Sequence, residues 1–111
     1  MSGISTHVLD TARGLPAAGL RVRLEQQSGG AWLDAGAAST DSNGRVAQLL
    51  AEGRALDAGL YRLTFFTAEY FHGSDSFYPE VTVQFEIRDA SRHYHVPLLL
   101  SPYGYTTYRG S

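Results

Sequence analysis

Two histidines, four tyrosines and an arginine fall within HYHVPLLLSPYGYTTYRGS, the last nineteen residues of the chain, and a further histidine, His7, stands near its start. Imidazole has an ordinary pKa of ~6.5, beside neutral pH, so it can take up and return a proton where most other groups stay in one state. Chain ends usually fray and are bland in composition. A terminal run this dense in groups that ionise or hydrogen-bond reads as placed. Together with His7 it points to a polar site assembled from both ends of the chain and closed by Tyr108-Arg109-Gly110-Ser111.

Strands must position these groups, because apolar residues recur with period two rather than at helical spacing. Leu20-Arg21-Val22-Arg23-Leu24-Glu25 alternates without error. Between Glu80 and Arg88, Val81, Val83, Phe85 and Ile87 share one face, and Thr82, Gln84 and Glu86 the other. Leu60–Thr67 and His93–Leu100 read as further strands. Turn signals separate them: Gly29-Gly30, Asp41-Ser42-Asn43-Gly44, Asp57-Ala58-Gly59 and Ser101-Pro102-Tyr103-Gly104. Asn43-Gly44 is a strong turn signal, since both residues tolerate positive φ. One short helix is expected over Thr67–Gly73, capped by Thr67 and stopped by Gly73, with His72 meeting the last carbonyls. Seven or eight short strands at this spacing fit an antiparallel sandwich.

Alternation also orients the polar groups. On His93–Leu100, Tyr94, Val96, Leu98 and Leu100 share one face, and His93, His95, Pro97 and Leu99 the other. His7 shares a face with Ser5 and Leu9. Both strands are therefore apolar on two faces, which implies cover on both sides. A small two-layer sandwich has one inner face, so the second cover is expected from another subunit, with the histidines at that interface.

With 111 residues the chain is read as a single domain, residues 1–111, with room for one core. A hydrophobic share of 43% and a charged share of 18% suit a globular protein and argue against disorder. The net charge of −2 gives no reason to expect nucleic acid or an anionic membrane as partner. No cysteine is present, which removes disulfides, thiolate metal sites and a thiol nucleophile together. No secretory pattern is visible in MSGISTHVLDTARG and no apolar run reaches the ~18 residues of a membrane span, so a soluble, cytoplasmic protein is expected.

Three segments carry a resemblance. ISTHVLDTARGLPA, TDSNGRV and the terminal HYHVPLLLSPYGYTTYRGS together resemble the 5-hydroxyisourate hydrolases, the transthyretin-related family of urate breakdown, over Ile4 to Ser111. TDSNGRV alone is weakly specific; THVLD with a terminal YRGS is strongly so. The resemblance implies an all-β, prealbumin-like sandwich of two four-stranded sheets with one short helix. It implies a homotetramer, a dimer of dimers, with sites in the channel where dimers meet. It further implies hydrolysis of a ring C–N bond of 5-hydroxyisourate, a purine-derived small molecule, to 2-oxo-4-hydroxy-4-carboxy-5-ureidoimidazoline, with no cofactor. The family's motif residues fall on His7, Arg45, His95, Tyr108 and Ser111.

Opening a cyclic acyl–nitrogen bond requires activated water, a stabiliser for the oxyanion and a proton for the leaving nitrogen. The resemblance assigns His7 and His95 to water activation and proton transfer. Arg45, a fixed fork of donors that stays charged, goes to the substrate and its oxyanion, and Tyr108 to positioning; a terminal carboxylate at Ser111 could orient a histidine. His93 stays structural in this reading, and Arg21 and Arg23 are solvated charges beside core residues. His93-x-His95 is a chelating spacing, yet no carboxylate or third histidine stands suitably near in sequence, so no metal is expected. No G-x-S-x-G elbow supports a serine nucleophile. The competing reading is a transthyretin-like carrier of a hormone-type ligand, whose channel lacks the polar set. An immunoglobulin-like adhesion domain predicts no clustering of polar groups at the terminus.

Overall fold

The computed structural model describes residues 2–111. In chain order the elements are β1 (Gly3–Asp10), β2 (Leu15–Pro16), β3 (Arg21–Ser28), β4 (Ala31–Ser39), β5 (Arg45–Val46), β6 (Gly59–Phe65), α1 (Thr67–Phe71), β7 (Val81–Ile87), β8 (His93–His95), β9 (Leu98–Ser101) and β10 (Gly104–Thr107).

One sheet is antiparallel throughout, in the order β4-β3-β6-β7. Its first hairpin closes at Gly29-Gly30, both at positive φ (58° and 84°), as a two-residue turn that follows the strand twist requires. β4 lies outside the strand segments predicted above: Gly36 and its alanines give little alternation to read. Gly36 is required there, because the chain at Leu49 crosses so closely that any Cβ would collide with its carbonyl.

The other sheet is centred on β1. β8 and β9 run parallel to it along one edge, β5 and β2 antiparallel along the other, and β10 folds back on β9. β8 and β9 are halves of the single strand predicted over His93–Leu100. The ladder lapses at Val96-Pro97, where proline has no N–H to donate. The sheet thus holds four strand positions, and the two-by-four sandwich implied by the sequence is the one observed.

Inward residues of both sheets form one core. Ile4, Val8, Leu98 and Leu100 face Val22, Leu24, Leu63 and Phe65, all essentially inaccessible to solvent. The side-chain hydroxyl of Thr6, buried among them, donates to the Val96 carbonyl at 2.7 Å, so the one polar residue of this stretch is satisfied. At the end of β1, buried Asp10 accepts the N–H groups of Ala12 and Arg13 and the Tyr70 hydroxyl (2.7 Å), tying the first turn to α1.

The helix departs from expectation at both ends. Phe66 occupies the N-cap position with no side-chain cap, while the hydroxyl of Thr67 donates to the Tyr78 carbonyl. His72 itself adopts the left-handed conformation (φ 51°), one residue before Gly73, and it is its backbone N–H that reaches Glu69. Arg21 and Arg23 are exposed as expected, yet paired: Arg21 to Glu69, Arg23 to Asp34 and Glu25.

The Asp41–Gly44 turn delivers β5 to β1. The Gly44 N–H donates to the Asp41 carbonyl, and Asp41 Oδ1 accepts the N–H groups of Asn43 and Arg45. Only Gly44 of the Asn-Gly pair takes positive φ (75°). Its carbonyl accepts the Val8 N–H at 2.8 Å, and a Cβ would sit 2.4 Å from the Val8 carbonyl oxygen. Gly44→Ala is therefore expected to destabilise the fold by more than ~1 kcal/mol, since both the φ and the approach exclude a side chain. Urea unfolding would show it as a lowered midpoint, and an unchanged midpoint would refute the constraint.

Candidate active site

Three strands bring the predicted residues onto the outer face of the β1 sheet. Along β1, Ile4, Thr6 and Val8 point into the core, which turns Ser5, His7 and Leu9 outward, each partly exposed. Antiparallel pairing with β5 sets His7 opposite Arg45. Parallel pairing with β8 sets Ser5 opposite His95. Arg45 is exposed at the mouth of the turn, and His95 is half-buried.

The terminal segment completes the arrangement. Gly110 donates its N–H to the His95 carbonyl at 2.8 Å, a single antiparallel bridge. A Cβ at Gly110 would lie 2.5 Å from His95 Cδ2, so the backbone packs directly on the imidazole. The hydroxyl of Thr107 donates to the Pro97 carbonyl (2.8 Å), fixing the start of this segment. These contacts give physical content to the density of small and polar residues at the chain end.

A cleft of about 440 Å³ lies between these elements, walled by Ser5, Asp41, Arg45, His93, His95 and Ser111. That volume falls within the range of small-molecule sites. Tyr108 is placed differently. It is 55% exposed and lines a second groove of about 250 Å³, with Arg109, Tyr94 and Phe85, which His95 also lines. Within one chain, His95 is thus common to both recesses, while Arg45 and Ser111 are on one and Tyr108 on the other.

The electrostatics are those of a basic cluster. Burial, followed by the charges of His7, His93 and Arg45, holds the pKa of His95 below its ordinary value. At neutral pH its imidazole is uncharged, with a lone pair available to accept a proton. Asp41, nearby, is held below the usual carboxylate range, first by the Arg45 N–H, then that of Asn43, and by the charges of Arg45 and His7.

Sequence reasoning passed over Ser5. Its Oγ lies 2.8 Å from His95 Nδ1 and 2.8 Å from His93 Nε2, so the two rings of the His-x-His pair converge on one hydroxyl. The signal existed in the placing of Ser5 on the His7 face, but its partners depend on a parallel register that alternation does not disclose. Among the described residues no group of three or more His, Cys, Asp or Glu is arranged to hold a metal ion, and no helix is long and apolar enough to cross a membrane.

Comparison with known proteins decides the kinship. The model of the HIUase/Transthyretin family matches residues 4–110. The chain belongs to this family. A 5-hydroxyisourate hydrolase of Deinococcus radiodurans is 47% identical over 114 residues, covering 98% of this chain and 96% of that one. Its counterpart in Salmonella typhimurium is 46% identical over 110 residues, covering 97% and 80%. Among solved structures, Klebsiella pneumoniae 5-hydroxyisourate hydrolase superposes with a TM-score of 0.85 at 35% identity, over 99% of this chain and all of that one. Sea bream transthyretin, solved with thyroxine, gives 0.88 at 32% identity, over 96% and 93%. Members of the HIUase/Transthyretin family therefore share this sandwich whether they are named 5-hydroxyisourate hydrolase or transthyretin.

The depressed pKa of His95 has a consequence for stability. The unfolded chain binds this proton at ~6.5 and the folded chain only at lower pH, so the contribution to stability is present above ~6.5 and is lost as pH falls through the folded value. Imidazole NMR titration is expected to place the His95 midpoint below that of a free histidine. Arg45→Ala should move it upward by removing a cationic neighbour. A His95 midpoint at or above the free value would overturn this account of the cluster.

Proposed function

We propose that the protein hydrolyses 5-hydroxyisourate to 2-oxo-4-hydroxy-4-carboxy-5-ureidoimidazoline. Near-full-length relationship to proteins named 5-hydroxyisourate hydrolase carries this reading. His95 and Arg45 line the cleft, and His7, outside its lining, stands opposite Arg45 on the adjoining strand. Water adds to the ring acyl carbon, the ring C–N bond breaks, and the nitrogen leaves with a proton. A neutral imidazole beside an exposed guanidinium suits the first two events: one removes a proton from water, and the other stabilises negative charge on the acyl oxygen.

In this proposal His7 and His95 share water activation and proton transfer, and Arg45 binds the substrate and its oxyanion. Ser111 closes the cleft beside His95, and Tyr108 positions substrate from the neighbouring groove. The tight seat of Gly110 on the imidazole supports a role for the terminal tetrapeptide as part of the site. The chain works as one domain, and its working form is a cytoplasmic homotetramer. Half-exposed Leu9 and Leu99 beside the histidines on the outer sheet face, and the edge strands β7 and β10, support assembly on these surfaces.

The test is the decay of freshly generated 5-hydroxyisourate, followed by ultraviolet absorbance. The protein is expected to accelerate it, and His7→Ala and His95→Ala each to lower the rate by roughly a hundredfold or more while leaving the fold intact, the usual scale for removing an acid–base group. Deletion of Tyr108–Ser111 should abolish turnover with little loss of stability. Decay at the spontaneous rate in the presence of folded protein would leave a ligand-binding relative instead. Sedimentation equilibrium is expected to return four times the chain mass, and a monomer would refute the assembly.

A further inference from the structure

We propose that Ser5 and His93 are positioning residues forming a proton wire that connects His95 to solvent. Resting on the hydrolase reading, this extends it to groups that the motif residues leave out. His95 is partly buried beneath Gly110, with Nδ1 turned to the Ser5 hydroxyl. Its other nitrogen, Nε2, is thereby the one left for chemistry. His93, whose Nε2 meets the same hydroxyl, is exposed.

Proton inventory makes the hydroxyl a switch. Ser5 has one hydrogen to donate and can accept another, and at 2.8 Å on both sides it bonds both rings. Of the two nitrogens that face it, His95 Nδ1 and His93 Nε2, one carries a proton and the other accepts from Ser5. With both rings neutral, they therefore share a tautomer: both protonated at Nδ1, or both at Nε2.

Hydrolysis calls on this device. Adding water across an acyl C–N bond takes a proton from water in one step and gives one to the leaving nitrogen in another, so His95 Nε2 must be loaded and unloaded in each turnover. When His95 Nε2 takes a proton from water, Nδ1 passes its own to Ser5 Oγ. Ser5 passes its hydrogen to His93 Nε2, and His93 releases its Nδ1 proton to solvent. Atoms balance, no ring stays doubly protonated, and His95 is left as the Nε2–H donor able to protonate a leaving nitrogen. When His95 Nε2 gives that proton to the leaving nitrogen, the hops run in the opposite sense and His93 Nδ1 recovers a proton from solvent, which restores the first state with no net proton passed along the wire.

The surrounding charges favour discharge. His95 is faced by His7 from β1, Arg45 from β5 and His93 from its own strand, while Asp41 is bound to backbone N–H groups of its turn. Glu86 of β7 and Tyr108 and Arg109 of the terminal segment line the second groove, which His95 also lines. Nearby positive charge opposes a lingering imidazolium at His95, and His93, which lines the cleft that water and substrate must reach in any assembly, provides the exit.

The kinetic test compares Ser5→Ala, Ser5→Thr and His93→Gln in dilute buffer. Ser5→Ala and His93→Gln are expected to lower kcat roughly tenfold or more with KM unchanged, to regain rate in added imidazole, and to be no worse when combined. Ser5→Thr, keeping the hydroxyl, should retain the wild-type rate and pH profile. In substrate-free protein, nitrogen NMR should find His93 and His95 in matching tautomers, a match lost in Ser5→Ala. Wild-type kcat in folded Ser5→Ala, or a loss that falls on KM or resists added imidazole, would overturn the wire while leaving the hydrolase standing. Absence of acceleration by the wild-type protein would instead remove the hydrolase reading, and unmatched tautomers would then dispose of the wire as well.

Discussion

Parallel pairing of β1 with β8 and β9 is the constraint on which both core and cleft depend. It joins Gly3–Asp10 to residues some ninety positions later, and nothing local in the sequence enforces it. Two buried bonds hold the register where the ladder lapses: the Thr6 hydroxyl to the Val96 carbonyl, and the Val96 N–H to the Ser5 carbonyl at 2.9 Å. Side chains alternate with period two, so a slip of one residue would turn His7 and Ser5 into the core and expose Ile4 and Val8. The burial of the apolar set and the placing of the polar set are the same fact. Loss of the register would cost the fold its core and the site its geometry together.

Around this pairing, glycines let backbone stand where side chains otherwise would. Gly44 seats its turn on β1 and so delivers Arg45 opposite His7; Gly110 seats the terminal segment on the His95 ring. The first approach puts a guanidinium beside an imidazole. The chain as a whole carries a net charge of −2, yet one end of one sheet gathers Arg45 and three imidazoles. Burial and the neighbouring charges keep His95 from holding a proton, and that leaves it able to accept one.

Strong alternation made β3 and β7 legible in the sequence, and apolar runs bounded by turn signals did the same for β6 and the His93–Leu100 segment. β4 escaped notice because it is an edge strand of small residues whose inner face is shaped by a crossing loop rather than by bulky side chains. The helix was legible, its caps less so: Thr67 is drawn to Tyr78 by tertiary packing, which outweighs its preference for capping. Motif residues pointed to His7, Arg45 and His95, and the sheet brings these three together. Ser5 and the second role of His93 lay beyond such reading, because a hydroxyl between two rings is a property of register. The placing of Tyr108 and Arg45 in separate recesses that share His95 is likewise three-dimensional.

Fold similarity does not separate a hydrolase from a thyroxine-bound relative, since sea bream transthyretin superposes as well as the Klebsiella pneumoniae hydrolase does. A sandwich of this kind supplies a rigid outer face, and what that face does depends on a handful of outward positions. Here those positions hold groups that exchange protons near neutral pH, beside a guanidinium that does not. An apolar hormone gains little from such a surface: its groups would lose water on binding and find few partners in return. A small, oxygen-rich ring undergoing attack by water gains at each of them, because charge develops where donors and acceptors already stand. The chemistry of the outward face, rather than the architecture behind it, favours catalysis over carriage.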